Sequence, residues 1–273
     1  MKRILPLILS IFLSQGLFAQ FLDSSYIRVQ YEAKSKNIVD SDKIFSDWYY
    51  LDAGVTASFF YSFYDNYSDS TKRSLLLSGL SNEDIFLRTK SLKRGSEDKI
   101  FKNYESNSLM VISKILEQHY LYEEAMERQN WELLKDTAVI ENYKCLKAKC
   151  RFRGREWIAW YTPDIPMIEG PWKLWGLPGL ILKAEDAKGE FSFVCKGISL
   201  LVKKKAILLP VEASKNKYIK TEGRTFMQIK RKSVEDLKNS LASQGMTVVS
   251  VTNEKGLKTD IQKKRMNAIE SYE

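Results

Sequence analysis

The chain has 273 residues, with 43 Lys and Arg against 34 Asp and Glu, a net charge of +9 and 12% aromatic residues. One histidine, His119, and three cysteines exclude His-rich metal sites and make any Ser-His-Asp scheme depend on that single imidazole. Lysine runs at 203–205, 230–232 and 263–265 are short and scattered, which reads as solvated faces and not as a nucleic-acid surface.

Residues 1–19 read as a secretion signal. Lys2 and Arg3 precede an apolar run over 4–13, and Leu17-Phe18-Ala19 stands before Gln20 as a cleavage site. The apolar run is too short to span a bilayer comfortably, so no transmembrane segment is expected after cleavage. No Pro/Ser/Gly-rich linker interrupts the rest, and residues 20–273 are read as one domain.

Alternation over 25–33 sets Ile27, Val29, Tyr31 and Ala33 against Tyr26, Gln30 and Glu32 and predicts a half-buried strand. Aromatics crowd 45–67 on both sides of Gly54, which predicts two strands. Ser81-Asn82-Glu83-Asp84 is a capping box opening a short helix, with Gly95 as its stop. Strands are expected over 109–116, 118–126 and 131–140.

Residues 144–152 and 155–161 form a hairpin about Arg153-Gly154, ended by Pro163-Asp164-Ile165-Pro166. Further strands are expected over 180–184, 190–196, 206–211 and 225–231. A capping box at Ser233-Val234-Glu235-Asp236 opens a second helix that Gly245 stops, and 246–251 is a last strand. The class is mainly β: one antiparallel sheet, curved or partly closed, with one or two covering helices.

Between strands at 155–161 and 180–184 lies GPWKLWGLPGLIL, residues 170–182. Three glycines and two prolines within eleven residues describe a shaped loop that delivers a buried strand. The hexapeptide Gly176-Leu177-Pro178-Gly179-Leu180-Ile181, the preceding FRGR at 152–155 and the AWYTP-x-IP pattern at 159–166 resemble the GLPGLI family of secreted Gram-negative proteins. The resemblance runs from about Asn142 to Phe193 and implies a periplasmic or cell-envelope location and one domain. It brings no catalytic residues with it. Near the C terminus, Asn267-Ala268-Ile269-Glu270 departs from the Asn-Pro-Ile-Glu usual in that family.

No G-x-S-x-G, phosphate-binding loop, dinucleotide fingerprint or CxxC pair occurs, so no cofactor or metal is expected. An oxidising compartment permits a disulfide. Strand parity places Cys150 and Cys195 on compatible faces and separates Cys145 from Cys150, while the family resemblance emphasises Cys145; the connectivity stays open.

Asp164 and Glu169 are the candidate acid/base pair, with Arg155 (and its neighbour Arg153) as an anion contact. Turn chemistry explains the same residues. Trp172 and Trp175, with the hexapeptide, are candidates for lining a ligand cleft. The first reading is a non-enzymatic envelope protein that binds an apolar or peptide ligand or docks on an outer-membrane partner. The alternatives are an envelope hydrolase using Asp164 and Glu169, and a structural interaction protein.

Overall fold

A computed structural model describes residues 21–209, 218–245, 251–252, 258–259 and 264–272. Two meanders make one sheet. The first runs β1 (Phe21–Ser35), β2 (Phe45–Ala53), β3 (Ala57–Ser62), β4 (Lys99–Asn103), β5 (Ser108–Ile115) and β6 (Gln118–Ala125). The second runs β7 (Glu132–Ile140), β8 (Tyr143–Phe152), β9 (Arg155–Thr162), β10 (Leu180–Asp186) and β11 (Phe191–Leu208). They join along the long pair β1–β11, and every pairing between them is antiparallel. A short β12 (Ile219–Thr221) adds a parallel edge on β6, so the twelve-stranded sheet is mixed and open, ending at β12 and β7.

The sheet bends strongly. Phe60 of β3 and Phe193 of β11 are separated by two strands, roughly 14 Å apart across a flat sheet, yet their ring centroids lie 6.0 Å apart. The alternation read in 25–33 supplies the concave side: Ile27, Val29, Tyr31 and Ala33 are all buried in the main core. A smaller cluster about Phe101, Ile112, Leu121 and Ile207 forms separately. Turn chemistry holds the hairpins. Arg153-Gly154 (φ 51° and 77°) and Glu141-Asn142 (49° and 66°) both use consecutive positive φ, as two-residue turns matched to strand twist require.

Among the described residues four helices accompany the sheet: α1 (Phe63–Leu77), α2 (Asn82–Thr89), α3 (Gly223–Glu235) and α4 (Leu237–Ser243). Ser81 caps α2 by accepting from the Asp84 amide, as its capping box predicts. The stop differs. Helix α2 ends at Thr89, and Gly95 serves a close approach instead, since a Cβ there would meet Ser62 Oγ at 1.8 Å. Helix α1 replaces the end of the aromatic stretch read as strand; Ser62 accepts from the Asp65 amide and turns the chain into a helix.

The strand expected over 225–231 is part of α3. Phe226 and Met227 are buried, and Phe226 packs on Tyr120 and Tyr122 at 5.7 and 5.2 Å between centroids. Ser233 sits inside α3 and bonds to the Lys230 carbonyl, so it opens no helix; α4 follows directly, and Gly245 (φ 74°) comes just after it as its stop. Strand 206–211 is the end of β11 up to Leu208. Residues 1–20, and most of the strand expected over 246–251, lie outside the described residues.

Candidate functional site

The signature loop between β9 and β10 lies across the concave face. Proline on both sides of Asp164-Ile165 removes ladder donors, and the backbone closes on itself through Leu180 N to Ile165 O (3.1 Å) and Ile181 N to Glu169 O (2.9 Å). Trp172, Leu174, Leu177, Leu180 and Ile181 are buried, and Tyr31 of β1 donates to the Ile181 carbonyl at 2.6 Å. Gly179 takes φ 148°, with its Cβ direction blocked by the Thr162 carbonyl at 2.2 Å. Gly176 takes φ 94°, where a Cβ would make only ordinary contacts with Trp131 and Arg128 at 3.8 and 3.9 Å.

Two buried lysines fasten the loop to the first meander. Lys102 of β4 donates to Glu169 Oε2 at 2.8 Å and to the carbonyls of Gly170 and Leu174 at 3.2 Å each. Glu169 Oε1 accepts from the Tyr104 hydroxyl at 2.8 Å, and Oε2 also accepts from the Gly170 amide at 3.1 Å. Lys173 reaches the other way, to Glu124 Oε1 (2.8 Å) and Glu270 Oε2 (2.7 Å), with the Tyr122 hydroxyl at 3.2 Å. Burial, reinforced by Glu270, pushes the Tyr122 phenol well up, so it stays neutral within this network.

Glu169 is therefore not in an exposed turn, and it forms no acid/base pair with Asp164. Its oxygens are committed to Lys102, Tyr104 and the loop backbone, whereas Asp164 is exposed on the outer side of its prolines. Arg155 is not an open anion contact. It bonds to Asp186 (2.6 Å), Glu190 (2.8 Å), Asn267 Oδ1 (2.6 Å) and the Ala268 carbonyl (2.7 Å), stacked over Phe191. Arg153 lies 3.4 Å from both Glu124 and Glu127. The Asn267–Glu270 segment is thus tied to the sheet by Arg155 and to the loop by Lys173.

The cysteine pairing expected from parity is not made. All three thiols are free and buried. Cys150 and Cys195 do face the core, but β8 and β11 are separated by β9 and β10. That is roughly 14 Å along the sheet, beyond the span of a disulfide.

Beside the loop, the concave face encloses a cavity of about 430 Å³. Its floor is Tyr49, Phe60, Ile100, Val111 and Phe193 from the sheet, and its roof is Phe226, Met227 and Val234 of α3 with Met266 and Ile269. Trp172, Lys173 and Glu270 form one wall, and Arg94, Gly95 and Ser96 another. Of the signature residues proposed as a ligand surface, Trp172 lines this cavity. Trp175 instead accepts at its carbonyl from Trp131 Nε1 (2.8 Å) and donates from its own Nε1 to Glu127 O (3.1 Å), while Gly176 to Ile181 shape and bury the loop.

A charged pair, Asp98 and Lys230 (3.2 Å), bridges sheet and roof. Burial works to raise the Asp98 carboxyl, but the Lys230 ammonium and the Ser113 hydroxyl hold it below the usual range. The roof residues were missed from sequence because 225–231 was read with period two. The spacing Phe226, Ile229-Lys230, Ser233-Val234 is the helical signal that was there. No cluster of His, Cys, Asp or Glu suited to a metal occurs among the described residues, and His119 packs edge-on to Tyr218.

Residues 153–183 match a family model described as "Protein of unknown function (Porph_ging)", the stretch that holds the signature loop. No curated protein matches the chain. Two crystal forms of PNGF-II are similar to it at 13% and 14% identity with a TM-score of 0.48 each. The matches cover 78% and 77% of this chain, which spans about a third of theirs (34% and 33%). A LolA superfamily protein from Nitrosomonas europaea is similar at 11% identity and a TM-score of 0.26, over 67% of this chain and 88% of that one.

Proposed function

We propose that the chain is an exported cell-envelope protein that binds an apolar ligand and does not transform it. The observation that carries the reading is the aromatic-floored cavity between the concave sheet and α3. Its volume falls in the range of small-molecule sites, and its apolar floor and roof are joined by charged groups, among them Asp47, Asp98, Lys173, Lys230 and Glu270. The placement of Glu169 supports the same choice, because its oxygens are committed to Lys102, Tyr104 and the loop backbone. The compartment rests on the basic and apolar pattern of residues 1–19, and helices long and apolar enough to cross a membrane are absent among the described residues.

The test is ligand occupancy. Natively purified protein, denatured and extracted, is expected to release a co-purifying apolar molecule by mass spectrometry, and delipidated protein to brighten an uncharged fluorescent probe at about one site per chain. Val234→Trp fills the cavity from its roof and is expected to weaken the probe about tenfold without unfolding the protein. A wild type that carries nothing and leaves the probe dark sinks the reading.

A further inference from the structure

Helices α1 and α2 are oddly placed for packing elements. Helix α1 buries none of its fifteen residues, and α2 buries Ile85 and Thr89 alone. Across their four-residue connection stand Leu76 at 58% exposure, Leu77 at 83%, Phe86 at 61% and Leu87 at 50%. Helical spacing puts Arg73, Leu76 and Leu77 on one stripe of α1. Phe86, Leu87 and Lys90 share a stripe of α2 with the exposed Glu83 at its start, opposite the buried pair. Each apolar pair is therefore flanked by a cation. Arg73, Arg88, Lys90 and Arg94 are exposed and make no ion pair among the described residues. The acids of α1 are compensated elsewhere: Asp65 and Asp69 face Lys99 at 3.1 and 3.0 Å.

Four large apolar side chains in water beside uncompensated arginines and lysines match the two requirements of an interfacial membrane contact, apolar burial at the headgroup boundary and attraction to anionic lipid. We propose that the α1–α2 hairpin docks on an anionic bilayer surface. Leu76, Leu77, Phe86 and Leu87 enter the headgroup boundary, and Arg73, Arg88, Lys90 and Arg94 meet lipid phosphates. The contact stands whether or not the cavity holds a ligand. It does set the cavity beside the membrane, because the chain leaving α2 becomes the cavity wall at Arg94–Ser96.

Vesicle co-sedimentation tests this. Wild type is expected to bind vesicles containing phosphatidylglycerol, to bind phosphatidylcholine vesicles far more weakly, and to release as salt rises. Leu77→Ser with Phe86→Ser is expected to lower binding about tenfold at an unchanged melting temperature, since both side chains are exposed. Arg73→Glu with Lys90→Glu reads the charge separately and is expected to cost at least about fivefold per cation, the equivalent of ~1 kcal/mol each. The proposal is overturned if wild type ignores both vesicle types, binds both equally, or is matched by the two double variants. It is also overturned if the apolar variant instead abolishes a concentration-dependent dimer or the capture of a protein partner, which would make the hairpin a protein interface.

Discussion

Replacing Glu169 with glutamine removes one charge from a pair in which Lys102 is fully enclosed and Glu169 nearly so. The glutamine keeps the volume but leaves the Lys102 ammonium among neutral acceptors only, and it puts an amide donor where one of two acceptor oxygens stood. Breaking a buried pair from one side costs about 3–5 kcal/mol, because the surviving charge keeps its desolvation penalty. For a chain of this size each kcal/mol lowers the melting temperature by about 2–4 °C. Glu169→Gln is therefore expected to melt at least about 6 °C below wild type by circular dichroism. Lys102→Met combined with Glu169→Leu removes both charges and is expected to recover most of that loss. Asp164→Asn, on an exposed side chain, is expected to shift stability by less than about 0.5 kcal/mol. A Glu169→Gln protein melting within about 2 °C of wild type refutes the assignment of Glu169 as the anchor of the loop.

Gly179→Ala is expected to be far more damaging than Gly176→Ala. Both residues have positive φ, worth about 1 kcal/mol or more against alanine, but only at Gly179 does the added Cβ strike fixed backbone, the Thr162 carbonyl; equal melting temperatures refute this. Three thiols are expected to titrate with a thiol reagent in denaturant and almost none in the native protein, whereas a single thiol in denaturant would restore a disulfide. Burial pushes Cys150 up to about 12 and Cys195 up to about 11, against 9.0 when free. The folded state thus holds protons that the unfolded chain has lost, and these two groups make stability fall as pH rises from about 9 toward 11–12; native thiols that react readily at pH 8 contradict it.

The strands were legible where two-residue periodicity meets a buried face on one side. Residues 25–33, the hairpin at Arg153-Gly154 and the pair about Gln118 follow from alternation and turn chemistry alone. Strand β4 escaped notice because Lys102 interrupts its apolar alternation, and that lysine is buried only because Glu169, 67 residues away, meets it. The same long-range contact made Glu169 look like a surface turn residue. The position of the signature loop was readable from its glycines and prolines, but what it rests on was not. Lys173 needs Glu124 and Glu270, and no local pattern links three residues spread over nearly 150 positions. Parity gave Cys150 and Cys195 the correct face and said nothing of the two strands between them.

The segment from Arg265 to Tyr272 bonds to residues far from it in the chain. Asn267 donates to the Lys36 carbonyl across 231 positions, Glu270 closes on Lys173 across 97, and Arg155 holds Ala268 across 113. Contacts of such separation form late in folding, after most of the loop-closure entropy has been spent. A chain lacking these residues leaves Lys173 with Glu124 and the Tyr122 hydroxyl but without Glu270, and Arg155 short of three of its bonds. Late closure of this kind makes residues 265–272 a clasp on both meanders, so a chain cut before Arg265 is expected to lose far more stability than eight surface residues would carry.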